Sequence, residues 1–397
     1  MRIHPETISI YDGIEKSEYP IFKHKVKIKA VFDYFPKVTI ELGDYTVEPY
    51  EVYIRDSAGN EIYHSSIKSG YYSCSFRRWV DDITIFVYDS TGKEVSKFNI
   101  YEKIRHGNVI VSLDSSSLGD TISWFPYVER FLQKHKCSNL TVTTFWNKLF
   151  ESEYPEMSFK NPGYRGGDPD IVIGIGWYNE EDGNIHKKDP RLCNLQEVAA
   201  DILGVDYVGD IRPRISSVKK NNKPTDKKYV CIGTESTAAA KHWNYPGAWQ
   251  HLVNLLRGAG YEVVLIHRQG NHLTGVIDKS GEIEIQDRIS DLLQCEFFIG
   301  VSSGLSWLAW ALGVPTVVIS GFTHKFCEFS SNTLRIINEN VCHGCFNDPN
   351  HKFDRGDWWW CPRHKNTERH FECTKSIDPL SVFNSILEWV KSSEHHT

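Results

Sequence analysis

The sequence predicts an α/β protein of two doubly wound halves, with a small all-β region before them and a cysteine-bearing excursion after them. Three observations carry that prediction. From about residue 106, apolar strand-like runs alternate with stretches of helical period. A polar, Lys-rich segment at 216–228, SSVKKNNKPTDKK, interrupts the alternation once. Before residue 106 only short strands of alternating polarity occur. Length agrees, because 397 residues at roughly 150 per domain fill two to three domains.

The all-β region, 1–105, rests on VKIKAVF at 26–32, KVTIEL at 37–42, EVYIRD at 51–56, EIYHSS at 61–66, ITIFVYD at 83–89 and EVSKFNI at 94–100. Two of the connections, Asp56-Ser57-Ala58-Gly59-Asn60 and Asp89-Ser90-Thr91-Gly92-Lys93, carry the residues that hairpin turns favour. No catalytic constellation falls there, so it reads as a packing or recognition module. In the first half, 106–215, VIVSLD at 109–114 is a buried-type strand and SSSLGD is a small-residue turn. Trp124, Val128, Phe131 and Leu132 then recur at helical spacing. LTVTTF, DIVIGIG and the helical LQEVAADILG complete it. The second half, 228–338, runs YVCIGTES, a helix over 246–258, YEVVLIH, ISDLLQ, FFIGV, LSWLAWALG and PTVVIS. Such alternation implies right-handed crossovers, parallel sheets and a ligand cleft beyond the carboxyl ends of the strands. Asp378 and Pro379 open a last helix in 376–397 as N-cap and first-turn residue.

Forty-five Lys and Arg against 51 Asp and Glu give a formal charge of −6, which argues against a nucleic-acid binder that neutralises phosphates broadly. The opening segment, MRIHPETISIYDGIEKSEYP, has no apolar core of the signal-peptide kind, and a cytoplasmic chain with reduced thiols is expected. The uncharged run 297–322 is long enough for a membrane span. Ser302-Ser303-Gly304 and Pro315 divide it into strand, turn, helix and strand, so no span is expected. Cys74, Cys137, Cys193, Cys231, Cys295 and Cys327 are scattered singly and read as ordinary thiols.

The remaining four cysteines are patterned as Cys342-x2-Cys345-x15-Cys361-x11-Cys373. Four thiolates in a reduced setting suit a tetrahedral metal; zinc is usual for that spacing, and iron fits four sulfurs equally. His343, His351, His364 and His370 stand nearby as substitute ligands. A closed site of this kind is structural: it clips the excursion 340–375, which holds Trp358, Trp359 and Trp360.

Three turns at strand ends could carry chemistry. Asp120 follows Gly119 at the head of a helix, where an N-cap role competes with a reacting carboxylate. Thr234-Glu235-Ser236-Thr237 and then Lys241 follow YVCIG as a possible phosphate clamp. Ser302, Ser303, Gly304 and Leu305 precede a helix whose free amides attract an anion. By themselves these turns predict a phosphorylated ligand.

Together, SLGD before a helix, TESTAAAKHW after the linker and FFIGVSSGLSWLAWALGVPTVVISGFT resemble the heptosyltransferases that use ADP-activated heptose. The lipopolysaccharide branch carries Asp-Thr-Gly and a following His in the last motif, where this chain has Ser302-Ser303-Gly304 and Trp307. The β region, DSSSLGDT and the four cysteines resemble instead the autotransporter heptosyltransferases. That resemblance implies a GT-B fold with two Rossmann-like domains, ADP-glycero-manno-heptose as donor and Ser hydroxyls of an autotransporter adhesin passenger as acceptor. It also implies Asp120 as general base, Lys241 on the diphosphate, one iron per subunit on Cys342, Cys345, Cys361 and Cys373, and assembly into a homododecamer. A second reading from a different class is a metal-bearing protein-binding or scaffold module without catalysis.

Overall fold

The computed structural model describes residues 26–32, 37–42, 49–67, 70–75, 81–164, 166–177, 188–216, 223–351 and 361–394. Trp358, Trp359 and Trp360 lie outside them. Seven strands come first: β1 (Lys27–Phe32), β2 (Lys37–Leu42), β3 (Tyr50–Arg55), β4 (Glu61–Ile67), β5 (Gly70–Ser75), β6 (Thr84–Tyr88) and β7 (Glu94–Asn99). The first half then runs α1 (Ile100–His106), β8 (Asn108–Leu113), α2 (Leu118–His135), β9 (Asn139–Thr143), β10 (Ser158–Lys160), β11 (Ile171–Ile175) and α3 (Leu195–Ile202). The second half runs β12 (Tyr229–Gly233), α4 (Ala248–Gly258), β13 (Glu262–Leu265), β14 (Ile277–Asp278), α5 (Ile285–Leu292), β15 (Phe298–Val301), α6 (Gly304–Ala311), β16 (Thr316–Ile319) and β17 (Thr333–Ile336). Helices α7 (Glu372–Lys375) and α8 (Pro379–Glu394) close the chain. Asp378 caps α8 as expected, its Oδ2 accepting from the Ser381 amide at 2.9 Å.

The second sheet is parallel throughout, in the order β14-β13-β12-β15-β16-β17. Counted within the half, this is the winding of a dinucleotide-binding sheet, reversing between β12 and β15. In the first half β10-β9-β8-β11 repeats the pattern, reversing between β8 and β11. Strands β8, β11, β12, β15 and β16 are buried at nearly every residue, as strands covered on both faces must be. Among the described residues no helix is long and apolar enough to cross a membrane; the run 297–322 is β15, α6 and β16.

The expected N-terminal all-β unit does not stand as one unit. β1 pairs in parallel with β11, Ala30 opposite Ile171, and antiparallel with β2, which pairs with β5. These three strands extend the first sheet to seven. β3, β4, β6 and β7 alone form a separate antiparallel sheet ordered β4-β3-β6-β7. The physical reason is the edge of β11: IVIGI is wholly buried, and without β1 its backbone groups would face an open apolar edge. A division at 105 therefore cuts through one continuous sheet.

The halves meet where α2 packs on α6. A Cβ on Gly304 would stand 2.8 Å from Leu118 Cβ and 3.1 Å from the Gly119 nitrogen. One on Gly119 would stand 3.0 Å from Trp307 Cδ1. Space forces glycine at this crossing. Beside it, Asn194 caps α3 through Oδ1 while its Nδ2 donates to the Phe326 and Glu328 carbonyls of the other half, both at 3.1 Å. Ser330 donates from N and Oγ to Asp210 Oδ2.

Candidate active site

The turn after β8 holds Asp120 at one switch point. Ser117, not Asp120, caps α2: its Oγ accepts from the Asp120 amide at 3.4 Å. The Asp120 carboxylate is thereby released from helix capping. Ser115 Oγ donates to its Oδ2 at 2.7 Å and Trp177 Nε1 donates to the same oxygen at 2.9 Å. Burial pushes the Asp120 carboxyl above the usual carboxylate range; the Ser115 and Trp177 bonds, the Lys241 charge and Ser117 hold the rise back. An acid whose proton affinity is raised while a cation faces it is equipped to take a proton from a hydroxyl.

Lys241 ends a single helical turn, Ala239–Lys241, after β12. Its amide donates to the Ala238 carbonyl at 2.9 Å, while its partly exposed ammonium pairs with no described residue, so the ammonium is available to an anion. The other residues expected around it divide. Thr234 is buried and its Oγ1 bonds His267 Nδ1 at 2.7 Å. Ser236 closes a local turn with Ala238, and its carbonyl bonds His242 Nε2. Thr237 is exposed. Ser302 turns inward: its buried hydroxyl donates to Glu328 Oε2 at 3.1 Å and lies beside Ser320 and Thr323. That network is anchored by the buried Arg335–Glu328 pair at 2.6 Å, so the Ser302 side chain is already engaged. Ser303 is the N-cap of α6 without a capping bond, its Oγ buried and unpartnered. Gly304 and Leu305 head that helix at the crossing with Gly119.

A cavity of about 220 Å³ opens beyond the ends of β12 and β13, lined among others by Thr234, Glu235, Trp243, Trp249 and His267. Trp249 and His267 were not among the residues singled out from the sequence, since only the strand order brings them to this cavity. Trp177 was missed too; it follows β11 by two residues, at the switch point, a position that only the strand order reveals.

Cys342, Cys345 and Cys361 gather against Phe322, Phe371 and the Ala239-Ala240 turn, and Cys373 lies within electrostatic reach of them. Burial, then Cys342, pushes the Cys345 thiol up to about 12; burial, then Cys361, does the same to Cys373. The nine cysteines from Cys137 to Cys373 are all free thiols. Among the described residues no three His, Cys, Asp or Glu side chains meet at ligating distance. The structure thus collects the expected ligands in one cluster without closing them on a common point.

Residues 196–351 match the model of glycosyltransferase family 9 (heptosyltransferase). The chain is 35% identical over 351 residues to the autotransporter heptosyltransferase BAHTCr of Citrobacter rodentium, covering 85% of this chain and 83% of that one. It is 38% identical to the autotransporter heptosyltransferase TibC of Escherichia coli over 73% of each chain. The crystal structure of TibC, described as a bacterial iron-containing dodecameric glycosyltransferase, superposes with a TM-score of 0.80 at 32% identity, over 92% of this chain and 96% of that one; TibC has also been solved with ADP-D-beta-D-heptose. The E. coli ADP-heptose lipopolysaccharide heptosyltransferase II superposes with a TM-score of 0.51 at 14% identity, over 72% and 99%, a likeness of fold.

Proposed function

The chain belongs to the autotransporter heptosyltransferases, and on that premise we propose how its cleft moves a heptose. The donor is ADP-glycero-manno-heptose and the acceptor a Ser hydroxyl of an autotransporter adhesin passenger. One observation carries the reading: the charge of Lys241, after β12, bears on the buried Asp120 carboxyl of α2 from the other half. Asp120 accepts the acceptor proton on Oδ1, the oxygen that Ser115 and Trp177 leave aside. The deprotonated Ser oxygen attacks the anomeric carbon and ADP departs. Charge builds on the diphosphate, where Lys241, Thr237 and the first amides of α6 at Gly304 and Leu305 receive it. The Ser303 hydroxyl, unpartnered at the same helix end, adds a donor. Thr234 and Ser236 shape the turn that presents Lys241, and Ser302 holds the α6 end from below. The cavity beside Trp243 and Trp249 takes the nucleoside.

The cysteine cluster fits a thiolate-binding metal by its donors: four buried or half-buried sulfurs lie together, and the Cys345 and Cys373 thiols, pushed up by burial and then by neighbouring sulfurs, would be held as thiolates by a cation. Cys342, Cys345, Cys361 and Cys373 would hold iron, as TibC does by its description; zinc suits the same four sulfurs. Bound there, the metal supplies cross-linking of the excursion and no chemistry in the cleft. A dodecamer like that of TibC and a cytoplasmic location complete the reading.

The test follows the intact mass of a Ser-rich passenger fragment incubated with ADP-heptose. Heptose increments with wild type and none with Asp120→Asn are expected; no increments with wild type would sink the reading, and a fully active Asp120→Asn would sink the base. Elemental analysis of wild type and Cys345→Ser decides the metal, iron near one per chain in the first and depleted in the second.

A further inference from the structure

Trp177 joins three parts of the molecule that sequence keeps far apart. It sits just past β11, whose carboxyl end is pinned beside the Asp120 turn, since the Asp114 amide donates to the Ile175 carbonyl at 2.9 Å. Its only donor, the indole N–H, is spent on Asp120 Oδ2. Its ring is held from two sides. Trp124 of α2 lies 6.0 Å away at 55°, and Phe346 meets it edge-on at 5.7 Å and 90°. Phe346 is itself fixed next to Cys345: its amide donates to the Phe322 carbonyl at 3.1 Å and its ring tilts on Phe322 at 5.8 Å. Asn347 ties the same turn to both halves, donating from Nδ2 to the Arg191 carbonyl and accepting from the His324 amide.

We propose that Trp177 is the positioning residue for the Asp120 carboxylate and that Phe346 is its brace, so that the cysteine-bearing excursion sets how the reacting acid is aimed. This rests on Asp120 acting as base. A hydrogen bond to the ionised carboxylate favours it, so losing that bond raises the acid's proton affinity. The other groups facing Asp120 are Ser115 and Ser117 from its own turn and Lys241 from the opposite half; all three remain in the variants below. An excursion that served only as a peripheral clip would leave the Asp120 titration untouched.

The experiment measures kcat, KM for ADP-heptose and the pH profile of kcat/KM on the full-length metal-loaded protein. Trp177→Phe keeps an aromatic ring and removes the N–H. Its kcat should fall about tenfold to a hundredfold, the range for a bond to a charged group, with KM within about twofold. The acidic limb should move to higher pH. Phe346→Leu, which keeps apolar volume, should shift kcat and the limb in the same direction by less. The double variant should be no worse than Trp177→Phe alone, because both changes act through one bond. An unmoved limb and wild-type kcat in Trp177→Phe overturn the positioning role, and strictly additive losses in the double variant overturn the brace. If Asp120→Asn retains activity, the base assignment has failed instead.

Discussion

Adding one methyl group at the crossing of the two halves should weaken catalysis more than it weakens the fold. In Gly304→Ala the new Cβ meets Leu118 Cβ at 2.8 Å and the Gly119 nitrogen at 3.1 Å. The second of these is backbone, so no side-chain rotation relieves both. Reaching ordinary contact at 3.4 Å requires the N-termini of α2 and α6 to part by roughly 0.6 Å, where 1 Å of misplacement can reduce a rate by about a hundredfold. A kcat lowered about tenfold is therefore expected. Overpacking costs about 1–3 kcal/mol, and alanine in a helix returns roughly 0.5–1 kcal/mol over glycine. The net change, a destabilisation of about 0–2.5 kcal/mol, should appear as at most a modest fall in Tm by calorimetry. Gly258→Ala is the control, since nothing lies within 4 Å of its Cβ; it should leave kcat unchanged and hold or raise Tm. Wild-type kcat in Gly304→Ala would refute the claim that the crossing sets the geometry of the cleft.

Asp120→Asn should lower kcat by about a hundredfold or more while leaving Tm at pH 7 unchanged or higher. The sign follows from the raised proton affinity: the folded state disfavours the ionised carboxylate, so above the usual carboxylate range this group subtracts from stability. For the same reason wild-type transfer should fall on acidification at a pH above that range, and a limb at the ordinary carboxylate value would contradict the burial argument. Lys241→Ala should keep the wild-type melting curve, because the Lys241 ammonium pairs with no described residue, but lose the rise in Tm that ADP produces in the wild type; an undiminished ADP shift would remove Lys241 from the site. Glu328→Ala strips the partner from a buried Arg335, both side chains under a tenth exposed. Leaving that cation alone should destabilise by about 3–5 kcal/mol in chemical denaturation, and a loss below about 1 kcal/mol would mean that water reaches Arg335.

Sequence by itself determined the local elements and most of the chemistry-bearing turns. Period-two and continuous apolar runs have only a few ways to bury themselves, so the parallel strands of both halves, the Asp378 cap of α8 and the strand–helix–strand reading of 297–322 were legible. Asp120 and Lys241 do follow the ends of β8 and β12, as the alternation implied, and beyond strand ends is where doubly wound sheets bind ligands. Tertiary structure decided what pairs with what. That β1 covers the edge of β11 depends on two runs about 140 residues apart, and no periodicity records it. Ser302 looks like a ligand contact in its turn, yet it is consumed by Glu328, a partner 26 residues away that folding brings under α6. Trp177 shows the same limit from the other side. Its composition says only that it is apolar with one N–H, and its place between Asp120 and Phe346 exists because β11 ends beside β8 and Phe346 meets the ring edge-on there.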